Sequence, residues 1–270
     1  MSDRYVHGYE QDENERLEDQ ARALVDLLHV DTVYTSGSRV LEVGCGVGAQ
    51  TMTLTRRSPD AHFTCIDIAH TSLTEAVGRT DEAGVANVAF CQADVCALPF
   101  APRSFDHVFL CFVLEHLQRP VAALGILGKM LRGGGTITVI EGDHGSAYFH
   151  PDNPDARAGI QCLIRLQGEG GGNALLGRQL YPLLIEAGFD AVRVSPRMVY
   201  VDGGRPDLAE GFTRKTFTAM VQGVRDAAIG AGLIVPEAFD AGIRALHRTA
   251  ERDGVFCYTF FKGVGEASDP

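Results

Sequence analysis

The stretch Arg39–Thr51, RVLEVGCGVGAQT, decides the fold. RVLEV reads as a strand, and Gly44, Gly46 and Gly48 follow at every second position before a helix opens near Ala49. Glycine lacks the Cβ that would block a ligand lying on the turn, and it tolerates positive φ. The dinucleotide fingerprint GxGxxG carries its third glycine one residue later and its acid only downstream. Here Glu42 sits inside the end of the strand, where a carboxylate would repel a pyrophosphate yet can accept hydrogen bonds or attract a cation. The stretch therefore points away from a phosphate ligand.

Working outward, Arg39 to Glu141 alternates short β-type runs with helical periodicity. The runs are RVLEV, AHFTCID, NVAFCQAD, FDHVFLCFV and GTITVIE. This alternation predicts βαβ crossovers and a parallel sheet with helices on both faces, so that several strands are almost continuously apolar. Upstream, Leu17, Ala21, Leu24 and Leu28 form one apolar helical stripe within Glu13–Leu28. Downstream, Gly142–Gly172 reads as a Gly-rich irregular stretch containing HPDNP, and a helix resumes over Leu175–Ala187 and stops at Gly188. DAVRVSPRMVYVD and GVFCYTFFKGV are two more strands, and the helical pattern of Pro206–Glu251 between them is too long for a hairpin turn. The expected organisation is a helical lid over 1–35, a core over 36–204 and 253–270, and a helical cap insertion over 205–252.

A chain of 270 residues with 45% hydrophobic and 22% charged residues can bury a real core. Its formal charge of −11 argues against a nucleic-acid backbone as the main partner, because phosphate binding needs a basic face. No apolar run is long enough for a transmembrane helix, and the acidic start MSDRYVHGYEQDENERLEDQ is unlike a secretory signal. The expected setting is cytoplasmic, without a membrane partner. Seven cysteines and no CxxC pair read as reduced thiols, with neither a disulfide framework nor a metal site.

The glycine segment LEVGCGVGAQT resembles the first motif of the class I methyltransferases that use S-adenosylmethionine, and the likeness continues in order along the chain. Asp67 ends the second strand (CIDIA), where that family places an acid on the two ribose hydroxyls; a carboxylate can accept from both. Asp94 ends the third (CQADVCALPF), where the family binds the adenine amino group. FDHVFLCFVLEHL resembles the fourth-strand motif, whose backbone near Cys111 approaches the methionine part, and LRGGGTITVIE resembles the turn into the fifth strand. Alone, Asp67 or Asp94 would more often be a helix N-cap or a solvated turn residue; in register with Glu42 and the glycines the cofactor reading is favoured. The resemblance implies a Rossmann-like α/β fold: a seven-stranded, mostly parallel sheet with an antiparallel last strand, an N-terminal helical lid and a helical insertion before that strand. It also implies S-adenosylmethionine as cofactor, held by Glu42, Gly44, Gly46, Gly48, Gln50, Thr51, Asp67, Ile68, Asp94, Val95 and Cys111. Cys45 and Cys111 read as small fillers of turn and core rather than nucleophiles.

YVHGYEQDENERLEDQA and GRQLYPLLIEAGF resemble a small-molecule branch of the family, in which the N-terminal helix covers the cofactor. Tyr9 would close over the sulfonium end, and Arg16 and Gln20, four residues apart, could reach the cofactor's carboxylate. In VIEGDHGSAYFH, Asp143 and His144 lie just past the fifth strand, at the sheet edge where α/β proteins bind ligands. Histidine titrates near neutral pH, so His144 suits removal of a proton, with Asp143 beside it and Tyr9 as a second candidate. The other reading of His144 is a loop residue that shapes the pocket without proton transfer. His116, Tyr148, Tyr181, Arg197 and Tyr200 are candidates for an aromatic acceptor pocket.

The reaction implied is in-line methyl transfer to a small acceptor. Some members of the resembled branch methylate ring carbon, including C3 of indoles, which makes an aromatic, indole-like carbon the specific expectation; O- or N-methylation of another metabolite is the alternative. A nicotinamide-dependent oxidoreductase and a non-catalytic S-adenosylmethionine-binding protein are the rival classes. The first predicts GxGxxG, and the second lacks an enclosed acceptor pocket. A homodimer is the assembly expected, with a small-molecule acceptor as partner.

Overall fold

Buried β-branched and aromatic runs build a seven-stranded sheet in the order β3-β2-β1-β4-β5-β7-β6. The computed structural model describes residues 24–268. The strands are β1 (Arg39–Val43), β2 (His62–Asp67), β3 (Val88–Gln92), β4 (Phe105–Cys111), β5 (Leu131–His150), β6 (Phe189–Asp202) and β7 (Val255–Ala267). β1 pairs in parallel with β2 (Leu41 beside Thr64) and with β4 (Leu41 beside Val108), and β2–β3 and β4–β5 are parallel too. β7 runs antiparallel between β5 and β6. Val40, Leu41, Glu42 and Val43 are all buried, as both faces of a helix-covered parallel strand must be.

The chain divides into two compact units, and β5, β6 and β7 each run through both. One unit comprises, of the described residues, 28–141, 176–196 and 261–268. It contains the glycine turn, α1 (Ala49–Arg57), α2 (His70–Glu82), α3 (Pro120–Met130) and α5 (Leu180–Glu186). Its core gathers Leu41, Val43, Val108, Leu110, Leu127 and Val139. α5 starts only at Leu180, since Pro182 lacks an N–H and is tolerated in the first turn alone; Leu176–Gln179 is a 3-10 turn. Gly188 takes φ 88 just past the helix end.

The other unit comprises, of the described residues, 24–27, 142–175 and 197–260. Here the structure corrects the expectation of an irregular 142–172. β5 continues to His150, and α4 spans Pro154–Glu169. The glycine, serine and aspartate of this stretch favour turns in isolation, but β5 lies beside β7 in the sheet, and tertiary pairing overrides local preference. Asn153 caps α4 by accepting the Ala156 amide at 3.0 Å, with Pro154 at the first helical position. Pro206–Arg248 is helical almost throughout, including a π-helical segment at Ala209–Thr218 and the helix Pro236–Arg248. That last helix approaches α4 so closely that a Cβ on Gly242 would stand 2.5 Å from the Asp155 carbonyl oxygen. A cluster of Phe149, Phe212, Phe217, Phe256, Tyr258 and Phe260 fills this unit, with Phe149 and Phe256 stacked 4° from parallel.

Candidate functional site

The three glycines of the first motif have different jobs. All take positive φ: 67 at Gly44, 52 at Gly46 and 79 at Gly48. A Cβ on Gly44 would meet Val113 Cγ2 at 2.5 Å, and one on Gly48 would meet the Ala76 methyl at 3.1 Å. Those two glycines therefore let the turn dock on its own protein. Around Gly46 no heavy atom of the described residues lies within 4 Å of the Cβ position, so this is the glycine whose missing side chain leaves room for a ligand. α1 begins at once, with Gly48 as an N-cap that has no side-chain partner.

Asp67, at the end of β2, fixes the turn. One carboxylate oxygen accepts the Gly46 amide at 2.8 Å, and the other accepts the Ala69 amide at 2.8 Å. Each oxygen keeps a further lone pair, so the ribose diol of a nucleoside can still be bound. Ile68 beside it is an exposed apolar side chain, a surface on which a base can lie. At the end of β3, Asp94 is exposed and accepts the Cys96 amide at 2.8 Å, while Val95 is buried. The Ala93 amide donates to the Asp67 carbonyl at 3.1 Å and ties these two strand ends together.

Glu42 lies beneath the turn, accepting from the Thr51 hydroxyl at 2.7 Å and the Cys65 thiol at 3.2 Å through one oxygen. Burial pushes its pKa up to about 7 against those two hydrogen bonds, with the nearby Asp67 charge adding to the rise. Glu42 and Thr51 thus brace the motif from inside. Gln50 is engaged by His29, whose Nε2 lies 2.7 Å from Gln50 Oε1. Burial lowers the His29 pKa to about 4, so this histidine is neutral. Burial raises the thiols of Cys45, Cys65 and Cys111 well above their ordinary range, which fits fillers rather than nucleophiles.

Past Cys111, Phe112 takes φ 59, unusual for a non-glycine residue, while its amide donates to the Ile140 carbonyl at 2.9 Å. His116 closes the following 3-10 turn, Nε2 3.6 Å from Glu115 Oε1.

His144 is buried, with Nδ1 2.7 Å from the Tyr258 hydroxyl and its ring edge-on to Phe217 at 6.2 Å. Tyr258 is a residue that sequence reasoning missed. Gly142 carried a signal for it: a Cβ there would collide with the Tyr258 hydroxyl. Asp143 is buried too, and its Oδ1 accepts the Gly145 amide at 3.1 Å. Of the acceptor candidates, Tyr148 and Tyr200 are exposed, and the Tyr148 hydroxyl lies 3.7 Å from Met198 Sδ. Arg197 is half-buried on β6. Tyr181, on α5 in the glycine-turn unit, is more than half exposed. The structure thus brings Glu42, the glycines, Gln50, Thr51 and Asp67 together; of the acceptor candidates, Tyr148, Arg197 and Tyr200 belong to one unit and His116 and Tyr181 to the other. Tyr9, Arg16 and Gln20 lie outside the described residues.

The comparisons with known proteins bear on the same segment. Residues 40–135 match the family described as "Methyltransferase domain". The ubiquinone/menaquinone biosynthesis C-methyltransferase UbiE of Roseobacter denitrificans is 31% identical over 107 residues, 39% of this chain and 43% of that protein. The chain spans about half or less of the length of the curated relatives it matches. Among solved structures, the YcgJ protein of Bacillus subtilis has a TM-score of 0.61 at 15% identity, covering 92% of this chain and 99% of that one. Haemonchus contortus phosphoethanolamine N-methyltransferase 2, in complex with phosphomonomethylethanolamine and S-adenosylhomocysteine, has a TM-score of 0.57 at 14% identity, covering 93% and 53%. Residues 40–135 are thus a methyltransferase domain, and the chain shares its fold with solved methyltransferases.

Proposed function

We propose that this chain transfers a methyl group from S-adenosylmethionine to a small aromatic metabolite, with a ring carbon of an indole as the first candidate acceptor. The observation that carries the donor assignment is the glycine turn anchored on Asp67, with open space at Gly46 and spare lone pairs on the carboxylate. Bound there, S-adenosylmethionine supplies a methyl group made electrophilic by its sulfonium. Asp67 would accept from the ribose hydroxyls, Ile68 and Val95 would flank the adenine, Asp94 would bind its amino group, and the backbone at Cys111 would hold the methionine part. Tyr9, Arg16 and Gln20 belong to the same set of cofactor contacts. The sulfonium charge disperses as the methyl moves, so the protein's work is positioning and exclusion of water.

For an indole, electrons move to carbon as the ring N–H proton leaves. His144, held through Nδ1 by Tyr258, is the group we assign to that proton, with Tyr9 and Asp143 as further candidates. His116, Tyr148, Tyr181, Arg197 and Tyr200 are assigned to the acceptor side. Residues 205–252 are the acceptor-binding elaboration and 1–35 the lid. The absence of a basic face in the composition supports a small acceptor over a nucleic acid. The test is incubation with S-adenosylmethionine and a panel of indoles, phenols and amines, read by mass for the gain of one CH2. Methylated indole supports the reading; methylation confined to phenols or amines overturns the carbon acceptor.

A further inference from the structure

Glu141 ends the part of β5 that lies in the glycine-turn unit, and nothing in the first-motif chemistry uses it. Its side chain is fully buried. Oε1 accepts two backbone amides, from Val113 at 3.0 Å and from Leu114 at 2.7 Å. These belong to the turn that leaves β4, the same turn in which Phe112 holds its positive φ and Val113 occupies the space vacated by the missing Cβ of Gly44. A chain of contacts therefore runs from Glu141 to the β4 turn and on to the glycine turn. Such a φ at phenylalanine persists only where its surroundings over-determine it.

We propose that Glu141 is a positioning residue for methyl transfer: its Oε1 clamps the Val113 and Leu114 amides and so holds the β4 turn against Gly44, in the register that cofactor binding requires. This rests on the donor assignment made above. Burial, then the neighbouring Glu115 charge, pushes the Glu141 carboxyl well above the usual carboxylate range. Oε1 serves as acceptor for the two N–H groups, and Oε2 has no hydrogen-bond partner among the described residues. A side chain that works through one accepting oxygen is matched by glutamine, whose carbonyl can replace Oε1. Leucine has similar volume and no acceptor. It would strand both amides in the interior, where an unmet donor is costly.

The test compares the parent chain with Glu141→Gln and Glu141→Leu in two measurements. Amide exchange of the 110–116 segment without ligand reads the clamp, and calorimetric titration with S-adenosylhomocysteine reads its consequence. Glu141→Leu is expected to speed exchange at Val113 and Leu114 and to weaken binding by about tenfold or more, while Glu141→Gln stays within about twofold of the parent on both. Unchanged exchange and binding in Glu141→Leu would overturn the proposal. So would a glutamine variant as impaired as the leucine one, because charge rather than an acceptor would then be the requirement. If the parent itself fails to bind S-adenosylhomocysteine, the donor assignment falls, and with it the positioning role; the exchange rates then separate a structural clamp from none.

Discussion

Asp67 Oδ2 accepts the Gly46 amide at 2.8 Å, so the acid at the end of β2 sets the glycine turn at the end of β1. The same carboxylate has the lone pairs needed for a ribose diol. Asp67→Ala removes both the anchor and the acceptor, and affinity for S-adenosylhomocysteine is expected to drop by about tenfold or more in a calorimetric titration. Asp67→Asn, which keeps one acceptor oxygen, should fall between. An alanine variant that binds like the parent would remove Asp67 from the site.

Gly44 and Gly46 should respond differently to alanine. At Gly44 the new methyl meets Val113 at 2.5 Å in addition to the positive φ, so a stability loss of about 2–3 kcal/mol is expected in urea unfolding. At Gly46 only the backbone strain is incurred, about 1 kcal/mol, but the methyl enters the open space of the ligand. Gly46→Ala should therefore lose binding out of proportion to stability. Equal stability losses at the two positions would contradict this division of roles.

These glycines were legible in the sequence because their chemistry is local. A strand, an acid and a fixed glycine interval all lie within thirteen residues of chain, from Arg39 to Thr51. The end of β5 was not, because Gly142, Asp143, Gly145 and Ser146 carry turn preferences that only a neighbouring strand overrules. α4 left a readable sign in Asn153-Pro154, the cap and first helical position, which the surrounding glycines obscured. Tyr258 lies 114 positions from His144, and no spacing rule connects them; β5 and β7 must first be neighbours in the sheet. Gly142 is the residue whose smallness permits that pairing.

Tyr258→Phe deletes the hydroxyl 2.7 Å from His144 Nδ1 and leaves a buried ring nitrogen without it. A loss of about 1–3 kcal/mol in urea unfolding is expected. His144→Asn should lower turnover far more than cofactor affinity if His144 takes the acceptor's proton. Unchanged turnover in His144→Asn would leave the His144–Tyr258 pair as packing alone.

Glu42 and His29 make opposite contributions to stability across mildly acidic pH. The Glu42 carboxyl rises from 4.5 to about 7 on folding, chiefly through burial. Its contribution is greatest below pH 4.5 and is lost as pH rises toward 7, because the unfolded chain gives up the proton first. The His29 imidazole falls from 6.5 to about 4, again chiefly through burial, so its contribution is present above 6.5 and lost as pH falls toward 4. Each effect is about 3 kcal/mol in full, and in the parent they nearly cancel. Relative to the parent, Glu42→Gln should gain stability on going from pH 5 to pH 7, and His29→Gln should lose it. Urea unfolding at the two pH values checks both; parallel profiles would show that neither group changes its titration on folding.

The most direct test of the donor assignment is a calorimetric titration of the chain with S-adenosylhomocysteine and, separately, with NAD. The expected result is saturable binding of S-adenosylhomocysteine, with a matching rise in melting temperature, and no binding of NAD. Binding of NAD with no response to S-adenosylhomocysteine would contradict it.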